Sequence, residues 1–132
     1  MILNNTMRCW VACIGRLLLA VIFIYAGYGK LTHFSNTAEM MAGKGLPMAN
    51  VLLVLTIIIE LGGGLLLASG WYARYAALAL FLFIIPVTIV FHPFWTDPNQ
   101  MIMFMKNLAI MGGMAQVVAY GPGSCGIGCK RM

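Results

Sequence analysis

Four long apolar runs occupy most of this sequence and constrain its fold more than any other feature. They cover about residues 10–31, 47–69, 72–91 and 101–120. Each is close to the roughly 20 residues that a helix needs to cross about 30 Å of hydrocarbon. We therefore expect an all-α protein, a four-helix transmembrane bundle with up-down-up-down order. Residues 1–132 would form one integral membrane domain in contact with the lipid bilayer, and residues 121–132 a flexible tail.

The composition argues against an ordinary soluble domain. Of the 132 residues 62% are hydrophobic and 8% are charged, whereas about a quarter of the residues in soluble domains are charged. The net charge is +5, but the basic residues are spread over both ends of the predicted spans, so a nucleic-acid partner is not expected. Their modest excess beside the two chain termini predicts that both termini are cytoplasmic.

Glu60 stands near the centre of the second apolar run. A carboxylate there costs at least a few kcal/mol unless it is protonated, paired or facing a polar interior. Counting about 1.5 Å of helical rise per residue places Arg16 about 10 Å and Glu60 about 14 Å inside the same membrane boundary. We therefore expect these two residues to pair, with Gln116 at a similar depth. The pair would be either the floor of a polar cavity suited to proton or quinone chemistry, or a structural ion pair that fixes helix register.

A second polar group consists of Lys30, His92 and Lys106, at matching depths near the opposite membrane boundary. One interpretation is a site for an anion or a quinone carbonyl, with His92 exchanging protons near neutral pH. The alternative is that the lysines extend to lipid headgroups. The candidate catalytic residues are thus Glu60, Arg16 and His92. The candidate cavity residues are Lys30, Lys106, Asn107, His92 and Gln116.

Polar and small residues recur at helical spacing in each run, which predicts the faces that turn inward. In the first run these are Cys9, Cys13, Arg16, Ala20, Phe23, Gly27 and Lys30; in the second, Thr56, Glu60, Gly63 and Leu67; in the third, Arg74, Leu78, Phe81, Ile85, Thr88 and His92; in the fourth, Lys106, Ala109, Gly113, Gln116 and Tyr120. Gly62 to Gly64 indicate a close approach of another backbone beside Glu60. Residues 33–46 are expected to form a polar loop, and Asn99 to cap the last helix.

The four cysteines form two C-x3-C pairs, Cys9 with Cys13 and Cys125 with Cys129. Four thiolates within reach of each other can hold zinc or copper(I), or can exchange disulfides. Incidental or structural cysteine is the alternative, because the spacing differs from the C-x2-C of zinc ribbons. No phosphate loop, Ser-His-Asp set or haem motif is present, so no motif assigns an enzymatic reaction.

Several short patterns, taken in order, resemble the DoxX family of small bacterial inner-membrane proteins. They are Arg16 followed by three leucines, Gly27-x-x-Lys30-Leu31, Glu60 before Gly62-Gly63, Gly70 with Arg74, and Lys106-Asn107-Leu108 running to Tyr120-Gly121-Pro122-Gly123. The resemblance implies a multi-pass protein of the bacterial inner membrane with four spans and cytoplasmic termini. It also implies a link to quinone or thiol redox systems, because the family takes its name from a membrane subunit associated with thiosulfate:quinone oxidoreductase.

Two hypotheses for function follow. The first is a membrane component of a redox system that binds a quinone or a small sulfur compound within the bundle and works with a redox partner protein. The second is a non-catalytic membrane scaffold or small-solute carrier that recruits a partner protein.

Overall fold

The computed structural model describes residues 4–122, which are helical over most of their length and include no strand. Helix α1 is Asn5–Thr32, α2 is Phe34–Gly43, α3 is Ala49–Ser69, α4 is Ala73–Phe91 and α5 is Met101–Tyr120. A π-helical turn, Ile58–Gly62, lies within α3, and a 3-10 turn, Pro98–Gln100, leads into α5. The all-α prediction is therefore confirmed.

Four of these helices are long and apolar enough to cross a membrane: α1, α3, α4, and α5 together with its 3-10 turn. They coincide closely with the four predicted runs. Capping residues determine where these helices begin and end. The Asn4 side chain accepts a hydrogen bond from Met7 N at 2.8 Å and caps the start of α1. Gly70, with φ of 85°, ends α3, a conformation that glycine adopts without strain.

Residues 33–46, expected to form a polar loop, contain the ten-residue helix α2. Ala38 and Met41, three positions apart, are buried against Leu53 and Ile57 of α3. A short helix gains most of its stability from packing an apolar face. The polar residues of this segment concealed that face, and the loop prediction was wrong for this reason.

Helices α1 and α3 approach each other closely through glycine. A Cβ atom added to Gly27 would lie 3.1 Å from the backbone nitrogen of Leu61, and one added to Gly64 would lie 3.3 Å from that of Ile24. The close backbone approach predicted for Gly62 to Gly64 is therefore present at Gly64, and Gly27 provides a second one that was not predicted. The predicted inward face of α1 is also correct in its central part: Arg16, Ala20, Phe23 and Gly27 are the buried residues of that helix.

The predicted inward faces of α4 and α5 were largely wrong. Helix α4 buries an alanine-rich face, Ala73, Ala76, Ala77, Leu80, Ile84 and Thr88, whereas Arg74, Leu78 and Ile85 are exposed. Helix α5 buries Asn107 and Met114, whereas Gln116 and Tyr120 are exposed. In a membrane protein the outer surface is also apolar, so packing of small residues, rather than polarity, decides which face turns inward.

The turn before α5 differs in one detail from the prediction. The side chain of Asp97, not that of Asn99, supplies the cap, by accepting a hydrogen bond from Asn99 N at 3.1 Å. The helical turn therefore begins two residues earlier than expected.

Candidate functional site

An ion pair between Lys30 and Glu60 forms the centre of the candidate site. Lys30 Nζ lies 2.7 Å from Glu60 Oε1, and the two side chains are 28% and 7% exposed. The two opposite charges thus lie within hydrogen-bonding distance of each other. The predicted pairing of Glu60 with Arg16 is wrong: the partner comes from the opposite end of α1.

Glu60 lies in the middle of the π-helical turn of α3. Such a turn places one additional residue in a helix and is found frequently at functional sites. A Cβ added to Gly27 would lie 3.2 Å from Glu60 Cβ, so the absence of a side chain at position 27 leaves space for the glutamate beside α1. Sequence reasoning did not predict the π turn, although the three glycines after Glu60 marked the region as unusual.

A cavity of about 380 Å³ opens beside the ion pair, between α2 and the ends of the long helices. We call it the outer compartment. Its apolar walls include Met40, Met41, Phe83, Val87 and Phe91, and its polar groups are Thr37, Lys44, Thr56, Lys30, Glu60, His92 and Gln100. His92 Nδ1 lies 2.8 Å from Gln100 Oε1, which joins the end of α4 to the turn before α5. Lys44 Nζ is 6.0 Å from the centre of the Phe91 ring.

A second cavity, of about 140 Å³, shares Lys30, Glu60 and His92 with the first. We call it the inner compartment. It adds Lys106 and Asn107 from α5. Asn107 Nδ2 donates to Thr88 Oγ1 at 2.9 Å, and this hydroxyl donates to the carbonyl of Ile84 at 2.6 Å. The two compartments, which together we call the chamber, therefore meet at the Lys30–Glu60 pair.

The structure brings four of the predicted cavity residues, Lys30, His92, Lys106 and Asn107, into this one chamber. That they bind a ligand remains a prediction. Lys44 and Gln100, which also line the chamber, were not singled out from the sequence. Lys44 belonged to a segment interpreted as a loop, and only the packing of α2 shows where that segment lies.

Arg16 and Gln116 lie elsewhere, which corrects the expectation of one continuous cavity. The Arg16 guanidinium donates to the carbonyls of Pro122 and Ala68, the latter at 3.5 Å, so it joins the end of α3 to the second residue after α5. Both Arg16 and Gln116 line a separate cleft between α1 and α5. The polar residues of the bundle thus form two sites, one at the Lys30 end and one at the Arg16 end.

Two of the four cysteines predicted to bind a metal or exchange disulfides lie within the described residues. Cys9 is disulfide-bonded, and Cys13 carries a free thiol whose sulfur lies 3.8 Å from Arg16 Nη2. Cys125 and Cys129 lie outside the described residues. Binding of a metal by the four cysteines therefore remains a prediction. Within residues 4–122, no three His, Cys, Asp or Glu side chains are grouped as metal ligands.

Four apolar helices with charged side chains buried between them define a small multi-span helical membrane protein. Residues 11–93 match the family profile described as DoxX. The chain belongs to the DoxX family, as its short sequence patterns predicted.

Two Escherichia coli (strain K12) proteins are similar over most of the chain. The inner membrane protein YqjF is 36% identical over 114 residues, which cover 86% of each chain. The inner membrane protein YphA is 28% identical over 117 residues, covering 84% of this chain and 83% of that protein. A search of solved structures found no match.

Proposed function

We propose that this DoxX-family protein is an inner-membrane component of a redox system and that it binds a quinone or a small sulfur compound in the chamber. The location is inferred from the two relatives, both named as inner membrane proteins. The observation that carries the ligand proposal is the grouping of Lys30, Lys44, Lys106 and His92 around one apolar-walled cavity.

The size and lining of the outer compartment suit a small, flat, largely apolar ligand. Its volume of about 380 Å³ falls within the range of about 300–1,000 Å³ typical of small-molecule sites, which combine apolar walls with a few placed polar groups. Phe83, Phe91 and Met40 would contact an apolar ring. A quinone headgroup has such a ring and two carbonyl oxygens that accept hydrogen bonds.

The charges around the chamber favour an oxygen-bearing or anionic group. Three lysines line it, and Glu60 is the only acidic residue among its lining residues. Lysine donates hydrogen bonds and does not accept them. In this proposal Lys44 and Lys106 donate to the ligand, and Glu60 holds Lys30 in place. His92 exchanges protons with the ligand, while a redox partner protein supplies or removes the ligand's electrons.

We also propose the up-down-up-down order of the four spans. It is supported by contacts at both ends. Arg16 reaches the last turn of α3 and the second residue after α5. Lys30, on the last turn of α1, shares the chamber with His92, which follows α4. The ends of α1 and α4 therefore lie on one side of the bundle, and the ends of α3 and α5 lie on the other. Each long helix thus runs in the opposite direction to the long helix before it.

The experiment is a binding titration of the purified protein in lipid nanodiscs with a short-chain benzoquinone, a short-chain naphthoquinone and thiosulfate. We expect one of these to bind, and we expect Lys44→Met or Lys106→Met to weaken that binding about tenfold, because a hydrogen bond from a charged group is lost. Gln116→Leu, a change at the Arg16 end, serves as the control and should leave the affinity unchanged.

Absence of binding for all three compounds would overturn the ligand proposal, as would equal affinities in the wild type and in both lysine variants. If the protein binds none of them but repeatedly isolates with the same second protein, the scaffold hypothesis is favoured instead.

A further inference from the structure

We propose a second binding site, at the Arg16 end: the cleft between α1 and α5 binds an anionic phospholipid, with the lipid phosphate held beside Arg16, Arg74 and Gln116. This site is separate from the chamber, and the proposal does not depend on the redox function. It rests on the position of Arg16, on the distribution of charge and on the shape of the cleft.

The Arg16 guanidinium lies at the level of the helix ends rather than at mid-membrane. One of its acceptors, the carbonyl of Ala68, belongs to the residue before the last of α3, and the other, that of Pro122, follows the end of α5. Helix ends of a bundle of this length lie near the lipid headgroups. A phosphate group of the surrounding bilayer is therefore at the right depth to reach this end of the cleft.

Among the described residues, no acidic side chain lies at this end to neutralise Arg16 or Arg74. The whole sequence has three acidic residues, and all lie elsewhere: Glu39 in α2, Glu60 at the chamber and Asp97 before α5. Arg16 is 3% exposed, and within residues 4–122 its guanidinium is paired only with neutral groups and its Nε has no hydrogen-bond partner. A buried cation of this kind is strongly stabilised by an anion.

Arg74 adds a second positive charge close by. A Cβ built on Gly121, one of the residues that line the cleft, would lie 3.1 Å from Arg74 Nε. Gly121 has φ of 80°, so this position favours glycine and leaves the arginine free to lie against the backbone. Basic pockets between membrane helices are known to bind anionic lipid headgroups.

The cleft itself suits an acyl chain. It has a volume of about 460 Å³, and its walls are mainly small or apolar residues, among them Ala12, Gly15, Leu19, Gly113 and Val117. A Cβ added to Gly15 would have no neighbouring atom within 4 Å, so space remains directly above this helix face. The cleft therefore offers an apolar groove with its basic group at one end, which is the distribution of polarity in a phospholipid.

The test is native mass spectrometry of the full-length protein, titrated with phosphatidylglycerol, with phosphatidylethanolamine and with inorganic phosphate. We expect phosphatidylglycerol to bind at least about fivefold more tightly than phosphatidylethanolamine, and Arg74→Gln to weaken its binding about fivefold. Gly15→Leu should weaken binding of phosphatidylglycerol by filling the groove, while leaving any binding of inorganic phosphate unchanged. Arg16 is left intact, since its loss would disturb the helix ends.

Two matched variants at the Lys30 end act as controls. Lys44→Gln removes an exposed positive charge, and Gly29→Leu adds a side chain where a Cβ likewise meets no atom within 4 Å. Neither should change the affinity for phosphatidylglycerol. Equal binding of the two lipids, or equal losses in the Arg16-end and Lys30-end variants, would overturn the proposal. Binding of inorganic phosphate as tight as that of the lipid would reject the lipid as the source of the anion.

Discussion

Lys30 and Glu60 illustrate how the direction of a side chain decides which charges meet inside a membrane. Side chains on a helix tilt toward its N-terminus. This tilt carries Lys30 Nζ from the end of α1 inward to Glu60, while it carries the Arg16 guanidinium outward, past Cys13, to the helix ends. The pairing of Arg16 with Glu60 was predicted from backbone depth alone, and it failed because this direction was not considered.

The two members of the ion pair should respond unequally to substitution. Glu60 is almost fully buried, whereas Lys30 is partly exposed and can extend to lipid headgroups once its partner is lost. We therefore expect Lys30→Met to cost about 3 kcal/mol of unfolding free energy, because a buried carboxylate is left unpaired. Glu60→Met should cost about 1 kcal/mol, close to the value of an exposed ion pair. Unfolding in mixed detergent and SDS micelles measures both.

The double variant Lys30→Met/Glu60→Met should be less damaging than the sum of the two single changes, since residues in contact are energetically coupled. As a control, Gln116→Leu, at the Arg16 end, combined with Glu60→Met should be additive, because the two residues line separate cavities. If the Lys30 and Glu60 changes are also additive, the ion pair does not exist in the membrane.

At the scale of elements, the close contact of α1 with α3 depends on residues without side chains. Gly27 lies against the backbone of α3, and Gly64 lies against the backbone of α1. Membrane helices associate mainly through such packing, because lipid is as apolar as the helix surface. The α1–α3 contact therefore positions both partners of the ion pair.

Gly27→Ala should destabilise the protein by about 1–3 kcal/mol, because the new methyl group would force the helix backbones apart. Gly29→Ala is the matched control: it lies two residues away, its Cβ meets no atom within 4 Å, and alanine favours the helix. Thermal unfolding of the purified protein, followed by circular dichroism, compares them. Similar melting temperatures for the two variants would mean that α1 and α3 do not pack as described.

Two elements were not predictable from the sequence, for different reasons. Helix α2 is short and polar, and its two buried residues, Ala38 and Met41, are identified only by what they pack against. The π turn around Glu60 depends on one additional residue in a helix, and a continuous apolar run has no polar pattern that would reveal it. Helix α1, in contrast, carries polar and small residues at regular spacing, so its buried face could be predicted.

At the scale of the molecule, net charge is distributed unevenly between the two ends. Arg8, Arg16 and Arg74 belong to the end where α1 begins, and all three acidic residues lie away from it. Loops rich in Lys and Arg remain in the cytoplasm, so we expect the Arg16 end, where α5 also ends, to be cytoplasmic. A C-terminal fusion to green fluorescent protein should therefore fluoresce in bacterial cells, and one to alkaline phosphatase should be inactive.

The disulfide at Cys9 favours the opposite orientation, with the Arg16 end in the periplasm. Disulfides persist in the oxidising periplasm and not in the cytoplasm. An active phosphatase fusion would place the Arg16 end in the periplasm and contradict the charge-based orientation. Fusions made after α2, within residues 44–48, should give the reverse result in each case.

The number and positions of the membrane spans could be predicted almost fully, because an apolar run of about 20 residues has few alternatives. The division of the polar residues into two sites could not. Gln116 and Lys106 share one face of α5 in the sequence, yet the first faces the Arg16-end cleft and the second the chamber. Only the packing of all four helices decides which neighbour each meets.

The apolar layer between the two sites has a consequence for transport. Ala20, Leu67, Ala77, Leu80 and Met114 fill the bundle between the chamber and the Arg16 end, and each is at most 1% exposed. Dry, close-packed side chains of this kind block the movement of water and ions. In this conformation these residues separate the chamber from the Arg16 end, so we expect a molecule that enters beside Lys30 to leave on the same side.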